Sequence, residues 1–115
     1  MATDDEPDPR DNVEAARARA RRREASLGRD LADIVASMVD ANSDDEHDPE
    51  GATIAFERAQ VTELLRTTRV ELAALDAAAA RIETGTYGRC ADCGRAIATA
   101  RLAARPAATT CIDCA

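Results

Sequence analysis

Two short stretches decide how the C-terminal part of this chain folds, Cys90-Ala91-Asp92-Cys93-Gly94 and Cys111-Ile112-Asp113-Cys114. They hold all four cysteines as two CxxC pairs, with a spacer of 17 residues between the pairs. Two residues between thiols let both sulfurs of one turn reach the same ion, and two such turns supply a tetrahedral set of thiolates. The spacing therefore predicts one structural Zn²⁺ per chain, bound by Cys90, Cys93, Cys111 and Cys114.

Disulfide bonds and a rubredoxin-like iron site are the competing uses of these cysteines. The acidic start of the chain has no apolar segment typical of a signal peptide, so we expect a cytoplasmic location, where disulfides are disfavoured. Ala115 stands where an iron site often has a second glycine, which favours zinc. Since all four ligands are protein thiolates, no coordination position is left for water, and the metal is expected to be structural.

The composition favours helices over a compact globule. Of the 115 residues 27 are alanine, one is phenylalanine, one is tyrosine and none is tryptophan, so few large side chains are available for a core. The net charge of −7 argues against a protein that coats nucleic acid. No apolar run approaches the ~20 residues that span a bilayer, so we expect no membrane association.

Two amphipathic segments precede the cysteines, from about Asp11 to Ala41 and from about Thr53 to Thr84. In the first segment apolar residues recur at spacings close to three and four, which predicts an amphipathic helix, and in the second the alternation of three and four over four heptads is typical of a coiled coil. The seam positions are Val13, Ala16, Ala20, Leu27, Leu31, Ile34 and Met38, followed in the second segment by Ile54, Val61, Leu65, Thr68, Leu72, Leu75, Ala79 and Ile82, with Arg58 as its one charged position.

Two helices of similar length with a short connection predict an antiparallel hairpin. The predicted fold class is mostly α, a long antiparallel two-helix coiled-coil hairpin followed by a small four-cysteine zinc-finger module. The predicted boundaries are a disordered acidic tail (1–10), the hairpin (11–84) with an acidic tip loop (42–52), and the zinc-finger module (85–115). In such a hairpin Arg17 or Arg19 lies level with Asp76, so we expect the arginine-rich run near Arg19 to be solvated or ion-paired.

Particular residues are expected at the ends of these elements. Asp11 or Asn12 is expected to cap the first helix. Gly85 is expected to end the second helix in a left-handed conformation, and Gly94 is expected to allow the tight turn after the first CxxC pair.

A specific series of residues surrounds the cysteines. In order, it consists of Arg81-Ile82-Glu83-Thr84-Gly85-Thr86-Tyr87-Gly88, the first CxxC pair with Gly94, Ile97, Arg101-Leu102, Ala104-Arg105-Pro106 and the second CxxC pair. In these residues the chain resembles the DksA/TraR-type zinc-finger proteins. The hairpin, with Asp48-Pro49 at its turn, extends the resemblance to most of the chain.

The resemblance implies a non-enzymatic, cytoplasmic regulator of bacterial transcription initiation that binds RNA polymerase instead of promoter DNA. In this family the coiled coil enters the secondary channel of the polymerase, and an acidic tip lies near the active centre. The family often acts with the alarmone ppGpp, which is a second candidate partner. We expect the chain to be a monomer, and its candidate tip residues are Asp45, Glu46, Asp48 and Glu50.

The chain departs from the family pattern at the tip and at the end. The family usually has two aspartates three residues apart; Asp48 matches the first, but Gly51 replaces the second, which leaves Glu50 as the nearest acid. In relatives a C-terminal helix and lysines contribute to ppGpp contacts, whereas this sequence ends at Ala115 and has no lysine. The resemblance therefore supports polymerase binding more strongly than ppGpp dependence.

Three other functions are compatible with the residues alone, although less well. A zinc-dependent nucleic-acid-binding module is disfavoured by charge, because four arginines and two aspartates leave residues 85–115 nearly neutral once four thiolates surround Zn²⁺. A thiol-based redox sensor that loses zinc on oxidation is chemically feasible. An enzyme is the weakest alternative, since the sole histidine, His47, lies in an acidic loop without a pocket-forming framework.

Overall fold

A computed structural model describes residues 8–42 and 49–115 of the chain. Three helices lie in these ranges: α1 (Pro9–Asn42), α2 (Pro49–Thr84) and α3 (Thr99–Ala104). The chain forms two compact units, one built from the residues up to Arg19 together with Glu71–Ala115, the other from Ala20–Val70. Within the described ranges, no helix combines the length and the hydropathy needed to cross a membrane.

Helix α1 begins before Asp11, and Asp8 is its cap. The Asp8 carboxylate accepts a hydrogen bond from the backbone N–H of Arg10 at 2.9 Å, and the Asp8 carbonyl accepts one from the N–H of Asn12 at 2.9 Å. Pro9 takes the first helical position, where a missing N–H has no cost. The expectation that Asp11 or Asn12 caps the helix is therefore wrong, because an aspartate directly before a proline is the stronger start signal.

Helix α2 begins at Pro49, a few residues before the expected Thr53, again with a proline in the first turn. Its C-terminal end agrees with the prediction. Gly85 has a φ of +78°, its N–H donates to the carbonyl of Ile82 at 3.3 Å, and the N–H of Thr86 donates to the carbonyl of Arg81 at 2.9 Å. This pair of hydrogen bonds is a Schellman motif, which satisfies two carbonyls of the last turn.

Within the first unit, the start of α1 lies antiparallel to the end of α2. Arg10 pairs with Glu83 at 2.7 Å, and Arg17 pairs with Asp76 at 3.0 Å, so the partner number in α2 falls as α1 advances. The step between the two pairs is seven residues in each helix, which is one heptad. The prediction that Arg17 or Arg19 lies level with Asp76 is confirmed for Arg17.

The second unit has the same antiparallel arrangement. Arg69 contacts Glu24 at 3.1 Å, one further heptad along each helix. A groove near Ile34 of α1 is also lined by Val61 of α2. The predicted fold class, a mostly α chain with two long antiparallel helices packed together and a C-terminal four-cysteine module, is confirmed.

Among the residues whose burial is described, the predicted seam supplies all the buried positions of the two long helices except Ala78. Ala78 is 0% exposed whereas Ala79 is only half-buried, so the seam shifts by one position near its end. The hydroxyl of Thr68 donates to the Leu64 carbonyl at 2.8 Å, which satisfies this buried polar group. The buried predicted positions are Val13, Ala16, Ala20, Leu65, Thr68, Leu72 and Leu75.

Other predicted seam positions, among them Leu31, Ile34 and Ile54, are half-buried. A pair of helices can cover only one stripe of each partner, so a side chain at the edge of this stripe keeps part of its surface in water. The charged position Arg58 is exposed.

Replacing Gly28 by alanine is expected to stabilise the protein. A Cβ atom at Gly28 would meet no atom within 4 Å, and Gly28 lies inside α1. We expect a gain of about 0.4–1 kcal/mol, because alanine restricts the unfolded chain and has the higher helix propensity. Thermal or urea unfolding followed by far-UV circular dichroism measures this gain.

Gly85→Ala is the matched control for this prediction. Its Cβ would also meet no atom within 4 Å, but Gly85 has a positive φ. A left-handed conformation costs an alanine about 1–2 kcal/mol, so this variant should be destabilised. If both variants shift in the same direction, backbone conformation does not explain the difference.

A charge in the seam is expected to destabilise the helices far more than the same charge outside it. Leu72 is 9% exposed and Leu64 is 54% exposed, so Leu72→Asp and Leu64→Asp form a matched pair. We expect Leu72→Asp to lower the free energy of unfolding by at least about 3 kcal/mol and Leu64→Asp to change it much less. Equal losses in urea unfolding would contradict the heptad assignment.

Candidate metal centre

The four cysteines lie together in the first unit. Their Sγ atoms are all within 4.8 Å of one another, and the Sγ atoms of Cys93 and Cys111, one from each pair, are 3.7 Å apart. A tetrahedron of sulfurs around zinc, with Zn–S bonds of about 2.3 Å, has edges of about 3.8 Å. The sulfurs are therefore already close to the spacing that a single Zn²⁺ requires.

The first CxxC pair lies in a short turn of paired backbone. An isolated antiparallel bridge joins Arg89 to Ala96, and the N–H of Cys90 donates to the carbonyl of Arg95 at 2.8 Å. Gly94 has a φ of +78° and donates its N–H to the carbonyl of Cys90 at 2.9 Å. The prediction that Gly94 permits a tight turn after Cys93 is confirmed.

The second CxxC pair forms a turn of its own and is tied to the first by the backbone. The N–H of Cys114 donates to the carbonyl of Cys111 at 3.1 Å. The N–H of Ala91, inside the first pair, donates to the carbonyl of Thr109, just before the second pair, at 2.8 Å. This hydrogen bond holds together two turns that lie far apart in sequence.

A small apolar cluster supports the cysteines from one side. Cys90, Ile97 and Cys111 are buried, and Leu102 of α3 packs against them. The sequence pattern does not predict helix α3, because a helix of six residues is too short to show a periodic pattern. Its signal is compositional instead, since four of the six residues are alanine or leucine, both strong helix formers.

Three side chains brace the segment between the cysteine pairs by donating to backbone carbonyls. The hydroxyl of Tyr87 donates to Pro106 at 2.8 Å, and Nε of Arg101 donates to Thr110 at 2.9 Å. Nη1 of Arg89 donates to Gly94 at 3.2 Å. The sequence does not reveal these contacts, although Tyr87, Arg101 and Pro106 belong to the residues that carry the family resemblance.

All four thiols can ionise together only if a cation lies between them. Hydrogen bonds from the backbone of Cys111 and Cys93 lower the pKa of the Cys90 thiol to about 6. In contrast, hydrogen bonding with the thiols of Cys111, Cys90 and Cys93 raises the pKa of Cys114. Four neighbouring thiols without a metal cannot all ionise, because each thiolate repels the others. A divalent cation supplies the positive charge that allows four thiolates to coexist.

The donor set and its geometry therefore define a four-cysteine metal site that fits zinc. The four thiols are free of disulfides, and all of them would be ligands, so the ion would have a closed shell. When bound, Zn²⁺ supplies folding energy to a segment that has only a small apolar core of its own. The described residues contain no other cluster of metal-ligating side chains of this kind.

The predicted tip residues fall outside this description. Asp45, Glu46 and Asp48 lie in the segment that is not described. Glu50 belongs to α2, but the surroundings of its side chain are likewise not described. The assignment of these four acids to a functional tip therefore stays a prediction.

The cysteine module matches a known protein family, and the chain is similar to solved structures. Residues 85–115 match the family described as prokaryotic dksA/traR C4-type zinc finger. The solved structure of transcription factor DksA2 from Pseudomonas aeruginosa is similar at 25% identity with a TM-score of 0.55, covering 90% of this chain and 79% of that one. No curated protein matches the chain significantly.

A second solved structure, that of the DnaK suppressor protein from Agrobacterium tumefaciens C58, shares 34% identity with the chain. The similarity covers 99% of this chain and 96% of that one, with a TM-score of 0.46. The chain belongs to the DksA/TraR family of C4-type zinc-finger proteins. The family match decides between the metals that the cysteine spacing leaves open, and the cofactor is one structural zinc.

Removing one zinc ligand is expected to unfold the module and to spare the helices. Cys93→Ser should abolish stoichiometric zinc binding, because the ion loses one of four ligands and the module has little other stabilisation. Tyr87 is the only tyrosine and the chain has no tryptophan, so near-UV circular dichroism of Tyr87 reports on the module while far-UV circular dichroism reports on the helices. We expect loss of the first signal and retention of most of the second.

Ala91→Ser is the control for Cys93→Ser. It places the same side chain at an exposed position of the same turn without removing a ligand. This variant should keep one zinc per chain by elemental analysis. A Cys93→Ser protein with an intact Tyr87 signal and no zinc would mean that the module folds without metal.

Proposed function

We propose that this protein is a non-enzymatic, zinc-dependent regulator of bacterial transcription initiation that binds RNA polymerase. The similarity to the transcription factor DksA2 carries the proposal, because it extends over 90% of the chain and is therefore not limited to the zinc finger. A match limited to the zinc finger would be compatible with many functions, since four-cysteine modules serve as scaffolds in unrelated proteins.

The helices provide the docking element in this proposal. A pair of long antiparallel helices can enter a channel of a partner, and within each unit the buried seam and ion pairs such as Arg17–Asp76 hold the helices together. We propose the secondary channel of the polymerase as the docking site. The zinc-finger module would position the base of the helices through contacts such as Asn12 Nδ2 to the Leu102 carbonyl at 3.4 Å.

The acids between the helices provide the regulatory element. Asp45, Glu46, Asp48 and Glu50 lie in the connection and the first turn of α2. Carboxylates delivered near a metal-containing active centre can compete for its cations or change their coordination. We assign the main effect to Asp48 and a smaller one to Glu50, which stands next to the glycine that replaces the second family aspartate.

This proposal places the protein in the cytoplasm as a monomer that does not bind promoter DNA. The net charge of −7 disfavours binding to a polyanion, and it suits approach to a basic channel. Sedimentation velocity of the zinc-loaded protein tests whether it is a monomer. A mobility-shift assay with promoter DNA tests whether it binds DNA. A reconstituted transcription assay on a sensitive promoter, run with and without ppGpp, tests whether the effect depends on this nucleotide.

Neutralising the tip acids is expected to separate regulation from binding. Asparagine caps a helix about as well as aspartate but carries no charge, so Asp48→Asn/Glu50→Gln should keep helicity and zinc content. We expect the double variant to bind RNA polymerase with unchanged affinity and to lose most of its effect in a reconstituted assay on a sensitive promoter. Full activity of the double variant would contradict the acidic-tip mechanism.

Two controls sharpen this experiment. Glu57→Gln removes one carboxylate from an exposed position further along α2, so it should leave transcription unchanged. Co-purification with RNA polymerase measures binding separately. Loss of binding in the double variant would make the tip acids docking contacts, and failure of the unmodified protein to bind polymerase would refute the proposed function.

A further inference from the structure

A groove of about 500 Å³ crosses the zinc-finger module between α3 and the second CxxC turn. Four alanines on and before α3 make much of its floor apolar. Neither the proposed tip nor the seam uses this surface.

Ile112 gives the groove an exposed apolar anchor. It is 77% exposed, the highest value among the exposed large apolar side chains of the described residues. Ile112 lies between the predicted ligands Cys111 and Cys114, so a bound Zn²⁺ would hold its backbone in place. By comparison, Ile97 of the same module is 5% exposed. A single exposed apolar side chain is ordinary, but Ile112 and the alanines that line the groove form one continuous apolar surface with polar residues at its edge, which is typical of an interaction site.

Arginines rim the same groove. Arg95 and Arg105 are exposed, and within the described part of the chain their side chains have no carboxylate partner. Arg101 donates to the Thr110 carbonyl, which holds its guanidinium at the groove. Asp113 is the one acidic residue among those lining the groove. The rim is therefore cationic in a chain with a net charge of −7.

We infer that this groove binds an acidic segment of a partner protein in which an apolar side chain is flanked by carboxylates. The apolar side chain would pack on Ile112 and the alanine floor, while guanidinium groups at the rim would bind the carboxylates in bidentate fashion. The aliphatic parts of the arginines extend the apolar floor. Arginine next to an apolar anchor is a combination that often dominates the energy of protein interfaces.

Charge complementarity and chemistry favour this occupant over a nucleic acid. Binding of a phosphate backbone by counterion release needs a larger cationic surface than the three arginines at this groove supply. The groove has no aromatic side chain on which a base could stack. A peptide needs only two or three local carboxylates. The inference goes beyond the proposed function, because it uses a face of the module and not the tip.

The test uses the zinc-loaded 115-residue chain and a labelled synthetic peptide in which single leucines alternate with pairs of glutamates. Fluorescence anisotropy measures its Kd, and two further peptides replace every glutamate by glutamine or every leucine by alanine. We expect the acidic leucine peptide to bind at least about tenfold more tightly than either. Equal binding of all three peptides would overturn the inference.

Matched variants locate the binding site. Arg105→Glu and Ile112→Asp should each weaken binding about tenfold or more, because they reverse a rim charge and remove the apolar anchor. Arg22→Glu makes the same charge change at an exposed position of α1 outside the module, and should have no effect. Zinc content and the Tyr87 signal verify that each variant is folded. Equal losses for Arg105→Glu and Arg22→Glu would mean general electrostatic attraction and would refute the groove.

Other occupants are outcomes of the same experiment. If the protein self-associates and Ile112→Asp abolishes this self-association, the groove is an interface between copies of the chain. If single-stranded RNA binds more tightly than the acidic peptide, the groove is a nucleic-acid site. Either result would overturn the inference. Asp48→Asn/Glu50→Gln should bind the peptide normally. Failure of the tip mechanism is therefore distinguishable from failure of the groove.

Discussion

The zinc-finger module depends on one constraint, the convergence of four thiol sulfurs within 4.8 Å. Without a cation, four thiolates at this spacing repel one another, and the module has only a small apolar cluster around Ile97 to oppose that repulsion. With Zn²⁺ bound, coordination by the same sulfurs would be the main interaction that stabilises the fold of residues 85–115. The hydrogen bonds of Tyr87 and Arg101 then fix the segment between the cysteine pairs, which gives these two side chains a supporting role.

The long helices are stabilised by a different force. Their seam buries leucine, valine and alanine side chains, and ion pairs at Arg10, Arg17 and Arg69 recur at intervals of one heptad in both helices. Each exposed pair contributes little stability. Their value lies in specificity, because sliding one helix past the other would separate several opposite charges at once. The hydrophobic seam provides the energy, and the charges favour one alignment.

The sequence predicts the parts of this protein that rest on repetition or on fixed spacing. The seam near Leu72, the two CxxC turns and the glycine cap at Gly85 all have patterns that a few residues reveal. The start of α1 at Asp8-Pro9 is missed because a helix boundary depends on one or two residues. The Tyr87–Pro106 hydrogen bond escapes sequence reasoning for another reason, since the path of the chain between the cysteine pairs brings these two residues together.

The separation of stabilising forces has a consequence for recognition. Ile112 and Arg105 belong to the module that the metal would organise, whereas the seam of the two long helices has no metal ligand in it. Loss of zinc would therefore disperse the groove before it disturbs the helices. A partner that binds the groove would bind only the zinc-loaded form. Because a ligand stabilises the state to which it binds, this partner would stabilise the zinc-loaded state. If the groove binds a partner, zinc would therefore determine whether Ile112 and the neighbouring arginines form one binding surface.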